Sequence, residues 1–153
     1  PGVMVCYYHD PKATEDVLKD GWLYTGDMAM EDADGFIMLV DRKKDVIISG
    51  GENLYPVQIE DFLRTYQPVH DVAVIGLPDK RLGEIAAAVI SVKQGFSCTE
   101  DDVNQFCRKL PRYKRPHRII FADVPRNPTG KIEKPKLREM YGSGRLVEAQ
   151  NRS

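Results

Sequence analysis

Residues 34–60 read DGFIMLVDRKKDVIISGGENLYPVQIE, and the fold turns on how this stretch changes character along its length. Phe36 to Val40 is an apolar run entered through Asp32-Ala33-Asp34-Gly35, the pattern of a hairpin turn and its returning strand. Asp41-Arg42-Lys43-Lys44-Asp45 then breaks the apolar pattern with an unbroken charged run, the composition of a linker between two packed units. Val46-Ile47-Ile48 resumes as a strand. Ser49-Gly50-Gly51-Glu52-Asn53 reads as a loop of residues that tolerate unusual backbone angles, and Pro56 opens a helix. Ile59, Phe62, Leu63 and Tyr66 fall at i, i+3, i+4 and i+7, which puts them on one helical face.

Upstream of this stretch the chain reads as β structure with one short helix. Gly2 to Tyr8 is predicted as an apolar strand, and Asp10-Pro11 as an N-cap followed by the first residue of a helix running to Lys19. Gly21 stops that helix, and Trp22 to Thr25 is a further strand ending at the Gly26 turn. Downstream the pattern is α/β. Asp71 to Ile75 and Ile85 to Val92 are expected as strands separated by a Leu77-Pro78-Asp79 turn. Thr99, with Asp102 three residues on, starts a helix whose inner stripe is Val103, Phe106, Cys107 and Leu110. Ile119 to Phe121 is a last strand, and Pro135 opens a short helix carrying Leu137, Met140 and Tyr141. From Gly142 onward the composition is that of a frayed tail.

With 153 residues the chain is of single-domain size, and its 42% hydrophobic and 29% charged fractions are those of a globular protein. A net charge of −1 creates no field that would draw the chain to nucleic acid or an anionic membrane. No apolar run is long enough to span a bilayer. Cys6, Cys98 and Cys107 lack metal-type spacing and read as structural residues of a reduced, cytoplasmic compartment.

Several polar motifs stand out. Asp27 follows the Thr25-Gly26 turn, where a carboxylate can bind adjacent sugar hydroxyls or simply brace the turn. Arg42, Lys43 and Lys44 suit either a solvated linker or a hinge. Gly50-Gly51 is an ordinary loop pair, unless a ligand passes so close that side chains are excluded. The basic stretch Arg108, Lys109, Arg112, Lys114, Arg115, His117 and Arg118 could meet phosphates or complement a helix C-terminus. It contains only Tyr113 as an aromatic, so it has no stacking platform for single-stranded nucleic acid. The Pro125-Arg126-Asn127-Pro128-Thr129-Gly130-Lys131-Ile132 loop presents a lysine whose compact charge can meet developing negative charge. It is not a phosphate-binding P-loop, because Pro125 stands where the first glycine would be and Ile132 follows the lysine. His9, His70 and His117 are scattered, with no Ser or Cys partner pattern for nucleophilic catalysis, and His70 and His117, each just before a strand, read as structural.

Three blocks in this order carry a resemblance: DGWLYTGD at 20–27, the 34–60 stretch, and LPRYKRPHRIIFADVPRNPTGKIEKPKLRE at 110–139. Together they resemble the carboxyl-terminal part of the adenylate-forming enzymes, which include acyl-CoA synthetases, peptide-synthetase adenylation domains and firefly luciferase. The 41–56 segment is most similar to the acyl-CoA synthetase branch acting on fatty acids. The resemblance implies an α/β (α+β) lid domain with a short mixed sheet flanked by helices, preceded by strands of a large amino-terminal domain. On this reading residues 1–43 belong to that large domain, 44–141 form the lid, and 142–153 are a flexible tail. The chain is then expected to be a fragment whose partner is the missing large domain.

The resemblance also implies roles. Asp27 and Arg42 match ribose contacts to ATP or AMP, Lys44 a hinge, Gly51 the CoA tunnel, and Lys131 the catalytic lysine of adenylation. It implies an ATP-dependent ligase that joins a small-molecule carboxylic acid to CoA, with Mg²⁺ accompanying ATP but no metal ligand within these residues. Two other readings are an adenylating enzyme that loads a carrier-protein thiol and a non-enzymatic interaction module.

Overall fold

The computed structural model describes residues 3–142, and the chain divides into two compact units between Lys44 and Asp45.

In the first unit, helix α1 (Pro11–Val17) is capped by Asp10, whose carboxylate accepts the Ala13 N–H at 2.9 Å. It ends two residues before the expected Lys19, because Leu18–Lys19 (β1) turns to pair with Trp22–Leu23 (β2) around Gly21, at φ +81°. A second hairpin joins β3 (Asp27–Glu31) to β4 (Ile37–Arg42). Its turn is tied by Asp32, whose Oδ1 accepts the N–H groups of Asp34 and Phe36. The strand expected before Tyr8 is absent: residues 3–8 pair with no strand, and Val5 and Tyr8 are almost fully exposed. An apolar composition does not make a strand without a neighbour to complete its ladder. None of the described residues of this unit is buried.

The second unit is built on one mixed sheet. Two long strands, β7 (Val69–Asp79) and β8 (Gly83–Val92), form an antiparallel hairpin. On the other side of β8 lie β5 (Ile47–Ser49), itself paired to β6 (Glu52–Leu54), and β9 (Arg118–Phe121), which runs parallel to β8. The expected turn at Leu77-Pro78-Asp79 lies instead inside β7. Pro78 is tolerated there because β7 is an outer strand, and the true turn follows it, with Asp79 Oδ1 accepting the Arg81 and Leu82 N–H groups. Ser49-Gly50-Gly51-Glu52 is likewise a tight hairpin turn and not an open loop, with Gly50 and Gly51 both at positive φ.

Strand alternation gives each face of the sheet its own core. Val72 and Val74 of β7 with Ala86, Ala88 and Ile90 of β8 pack beneath α2 (Pro56–Arg64) and α3 (Glu100–Cys107), through Ile59, Leu63, Val103 and Cys107. Ala73, Ile75, Leu77, Ala87 and Val89 point the other way and receive Leu137 of α4 (Lys134–Gly142). This is the small mixed sheet flanked by helices that the sequence implies. Thr99 and Asp102 close the expected capping box on α3. Phe106 stacks on both Phe62 and Tyr66, with ring centroids 4.7 and 4.5 Å apart, which completes the α2–α3 contact. Glu60 is buried in α2, and its Oε1 accepts both the Val74 N–H and the Lys134 ammonium at 2.8 Å. Its charge is therefore paired where it would otherwise be costly.

Candidate functional site

The Lys131 loop joins β9 to α4, and local polar geometry builds it. Asn127 Oδ1 accepts three hydrogen bonds, from the Thr129 N–H, the Thr129 hydroxyl and the Lys131 N–H, at 2.7–3.0 Å. The Asn127 N–H donates to the Lys131 carbonyl and the Gly130 N–H to the Asn127 carbonyl, so the turn is closed from both directions. Gly130 sits at φ +83°, a conformation that disfavours other residues. Arg126 pairs with Ile132 across the loop's base. Lys131 itself is exposed, and its ammonium enters none of the ion pairs found among the described residues. The loop presents an ordered, unspent positive charge.

Within the first unit, Asp27 and Arg42 are directly opposite each other on β3 and β4, with Arg42 Nε 3.7 Å from Asp27 Oδ1. The structure therefore brings the two candidate ribose contacts side by side, both solvent-accessible. A cleft of about 430 Å³ beside them is lined by Thr25, Gly26, Arg42, Lys43 and Lys44. Lys44 is exposed, in a single 3₁₀ turn (Lys43–Asp45) where the chain passes from one unit to the next.

Gly51 sits at the tip of the β5–β6 hairpin at φ +87°, and nothing lies within 4 Å of where a Cβ would project. The turn's backbone alone accounts for a glycine there. Nearby, Ser49, Arg81, Leu82, Arg112, Tyr113 and His117 line a cleft of about 450 Å³. Its cationic lining was not legible as a unit, because Arg81 is far in sequence from the 108–118 basic stretch. His117, expected to be structural, is exposed on this cleft. Three other members of the basic stretch are spent locally. Arg115 donates to the Leu110 and Arg108 carbonyls beyond α3, Lys114 to Gln58, and Lys109 lies over the Phe106 ring.

The cysteines divide. Cys107 is buried, and burial pushes its thiol up to about 11, with Arg115 pulling slightly the other way. Cys6 is exposed, so the structural reading fails for it. Among the described residues no group of three or more His, Cys, Asp or Glu could hold a metal ion, and no helix is long and apolar enough to cross a membrane.

Comparison with known proteins gives this arrangement its family. Residues 58–131 match the AMP-binding enzyme C-terminal domain. The chain is 48% identical over 139 residues to the long-chain-fatty-acid–CoA ligase FadD13 of Mycobacterium tuberculosis, covering 90% of this chain and 27% of that protein. A solved Mycobacterium tuberculosis fatty acyl CoA synthetase superposes with a TM-score of 0.67 at 46% identity, over 92% of this chain and 28% of that one. O-succinylbenzoate CoA synthetase of Bacillus subtilis, solved with its acyl-adenylate intermediate, gives 0.82 at 33% identity over 89% and 28%. The chain thus spans little more than a quarter of the relatives it matches. With the lysine loop, its supporting sheet and these matches in agreement, the chain belongs to the adenylate-forming AMP-binding enzymes, whose C-terminal domain it carries.

Proposed function

We propose that this chain is the carboxyl-terminal portion of an ATP-dependent acyl-CoA ligase acting on a carboxylic acid of the fatty-acid class, in the cytoplasm. The observation that carries the proposal is the Lys131 loop: an ordered turn holding one exposed ammonium, on a domain of this family. Residues up to Lys43 supply strands of the large domain, residues 44–141 form the lid, and the large domain itself is the partner. The exposed apolar side chains of the first unit, Trp22, Phe36, Ile37 and Leu39, suit a surface covered by such a partner.

The chemistry asks specific things of these residues. In the first half-reaction a substrate carboxylate oxygen attacks the α-phosphorus of ATP, and pyrophosphate leaves with its electron pair. Negative charge grows on the phosphoryl and carboxylate oxygens, and Lys131 places a point charge against both. Asp27 accepts hydrogen bonds from the ribose hydroxyls, and Arg42 beside it adds a donor. In the second half-reaction the CoA thiol loses its proton and its sulfur attacks the adenylate carbonyl, expelling AMP. Lys131 must withdraw for that step, and Lys44, at the join of the two units, is the hinge.

Gly51 borders the pantetheine path, with open space at its Cβ position. The cleft lined by Arg81, Arg112, Tyr113 and His117 fits the nucleotide phosphates of CoA by charge, which favours CoA over a carrier protein as acceptor. Magnesium accompanies ATP and is held chiefly by its phosphates.

Lys131→Ala in the complete ligase tests the reading. ATP–pyrophosphate exchange should fall about 10²–10³-fold, while thioester formation from supplied acyl-adenylate persists. Equal loss of both would refute the role.

A further inference from the structure

The Lys131 loop is ordered from within by Asn127, but something must also fix it to the rest of the domain. Arg126 does this with three donors at once. Its Nε and Nη2 form a fork on the Asp71 carboxylate at 2.9 and 3.0 Å, and its Nη1 donates to the Gly130 carbonyl at 2.6 Å. Asp71 is half-buried at an irregularity near the start of β7, and its Oδ1 also accepts the Val72 N–H. One planar guanidinium therefore links the sheet to the carbonyl of the residue that immediately precedes Lys131. With Asn127 on the Lys131 N–H and the Asn127 N–H on its carbonyl, the lysine backbone is held from every side. At the loop's far end, Lys134 is anchored in the core by Glu60.

We propose that Arg126 and Asp71 are positioning residues for the adenylation half-reaction, acting through Lys131 by fixing where its side chain starts and which way it points. The inference rests on the proposed role of Lys131. A flexible four-carbon stem reaches a reacting centre reproducibly only if its Cα is fixed, and a misplacement of about 1 Å can cost about 10²-fold in rate. Lysine cannot replace Arg126, since an ammonium cannot span a carboxylate as a planar fork while also reaching the Gly130 carbonyl. The pair's contact with the loop is made to its backbone, at the Gly130 carbonyl. A purely structural pair would instead influence both half-reactions through stability.

The test is a double-mutant cycle in the complete ligase with Arg126→Lys, Arg126→Ala and Lys131→Ala, following ATP–pyrophosphate exchange, thioester formation from supplied acyl-adenylate, and melting temperature. Arg126→Lys should lower the kcat of exchange about 10²-fold with KM for ATP nearly unchanged and the thioester step intact. Adding Arg126→Ala to Lys131→Ala should lower exchange no further, because the arginine acts only through the lysine. A further, additive loss in the double variant would overturn the proposal. So would a fall in both half-reactions that tracks melting temperature, or an unchanged exchange rate in Arg126→Lys. Normal exchange by Lys131→Ala alone would instead refute the functional reading, whatever Arg126 does.

Discussion

The two units of this chain use apolar residues in opposite ways. The unit beyond Lys44 hides its own: Leu63, Val72, Val74, Ile75, Val89 and Leu137 are fully buried, divided between the two faces of one sheet. The unit before it carries comparable side chains on two small hairpins, with Trp22, Phe36, Ile37 and Leu39 left 69–76% exposed. Local turn chemistry is equally good in both, as Asp10 and Asp32 show in the first and Thr99 in the second. What separates them is that only the second has layers to close over its strands. Good hairpins are not a domain; an isolated two-stranded ribbon is marginal in water.

The strongest way to break that contrast is to separate the units. A chain of residues 45–142 should unfold cooperatively in urea, whereas residues 3–44 alone should show no transition and nearly unprotected amides in hydrogen exchange. Protection in the isolated first unit would mean that its hairpins are self-sufficient. Point variants sharpen the same contrast. Leu63→Ala should destabilise the second unit by about 2–5 kcal/mol, while Leu39→Ala should change stability by less than about 0.5 kcal/mol. Similar costs for the two would show that Leu39 is packed in solution.

A smaller effect is expected from the Asp71–Arg126 fork. Burial pushes the Asp71 carboxyl up, but the Arg126 fork and the Val72 N–H outweigh it and hold the group below its ordinary range. A depressed carboxylate contributes stability above its unfolded pKa of about 3.9 and loses it as pH falls through the lower folded value. Asp71→Asn should therefore be less stable than the parent chain by about 0.5–1 kcal/mol at pH 7, a modest figure because Arg126 is 43% exposed. The gap should close below about pH 4. A gap independent of pH would point to packing and not charge. The smallest perturbation is chemical: a thiol reagent at pH 7.5 should modify Cys6 readily and Cys107 only on unfolding. Mass spectrometry of the labelled chain reads the order directly.

How much of this was visible in the sequence follows from the range of each interaction. Signals within four residues are legible: the Asp10-Pro11 start, the Thr99–Asp102 box, the Asp32 turn and the Ile59, Phe62 and Leu63 face of α2 all form, although α2 ends at Arg64 and Tyr66 lies beyond it. Signals that need a partner elsewhere are not. Pro78 reads locally as a turn, because nothing near it in sequence says that β7 is an outer strand. Gly50-Gly51 reads locally as a loop, because Glu52–Leu54 becomes a strand only by pairing with β5. The same holds for the site: Lys131 could be singled out from its own loop, but the Asp71–Arg126 fork joins residues 55 apart. The basic cleft similarly gathers Arg81 with Arg112 and His117.

The parallel placement of β9 has a consequence for the order of assembly. β7 and β8 are joined by a three-residue turn and can zip as a local hairpin, whereas β9 reaches β8 only after α3 has been laid down. Contacts of long sequence separation carry the larger loop-closure cost and form later. Val74→Ala should then slow folding, while Leu137→Ala should chiefly speed unfolding, a division that chevron kinetics would show and whose reversal would refute the sequence of events. On that order the lysine loop, strung between β9 and α4, takes its shape after the β7–β8 hairpin, so the feature that presents Lys131 is the one most dependent on the rest of the sheet.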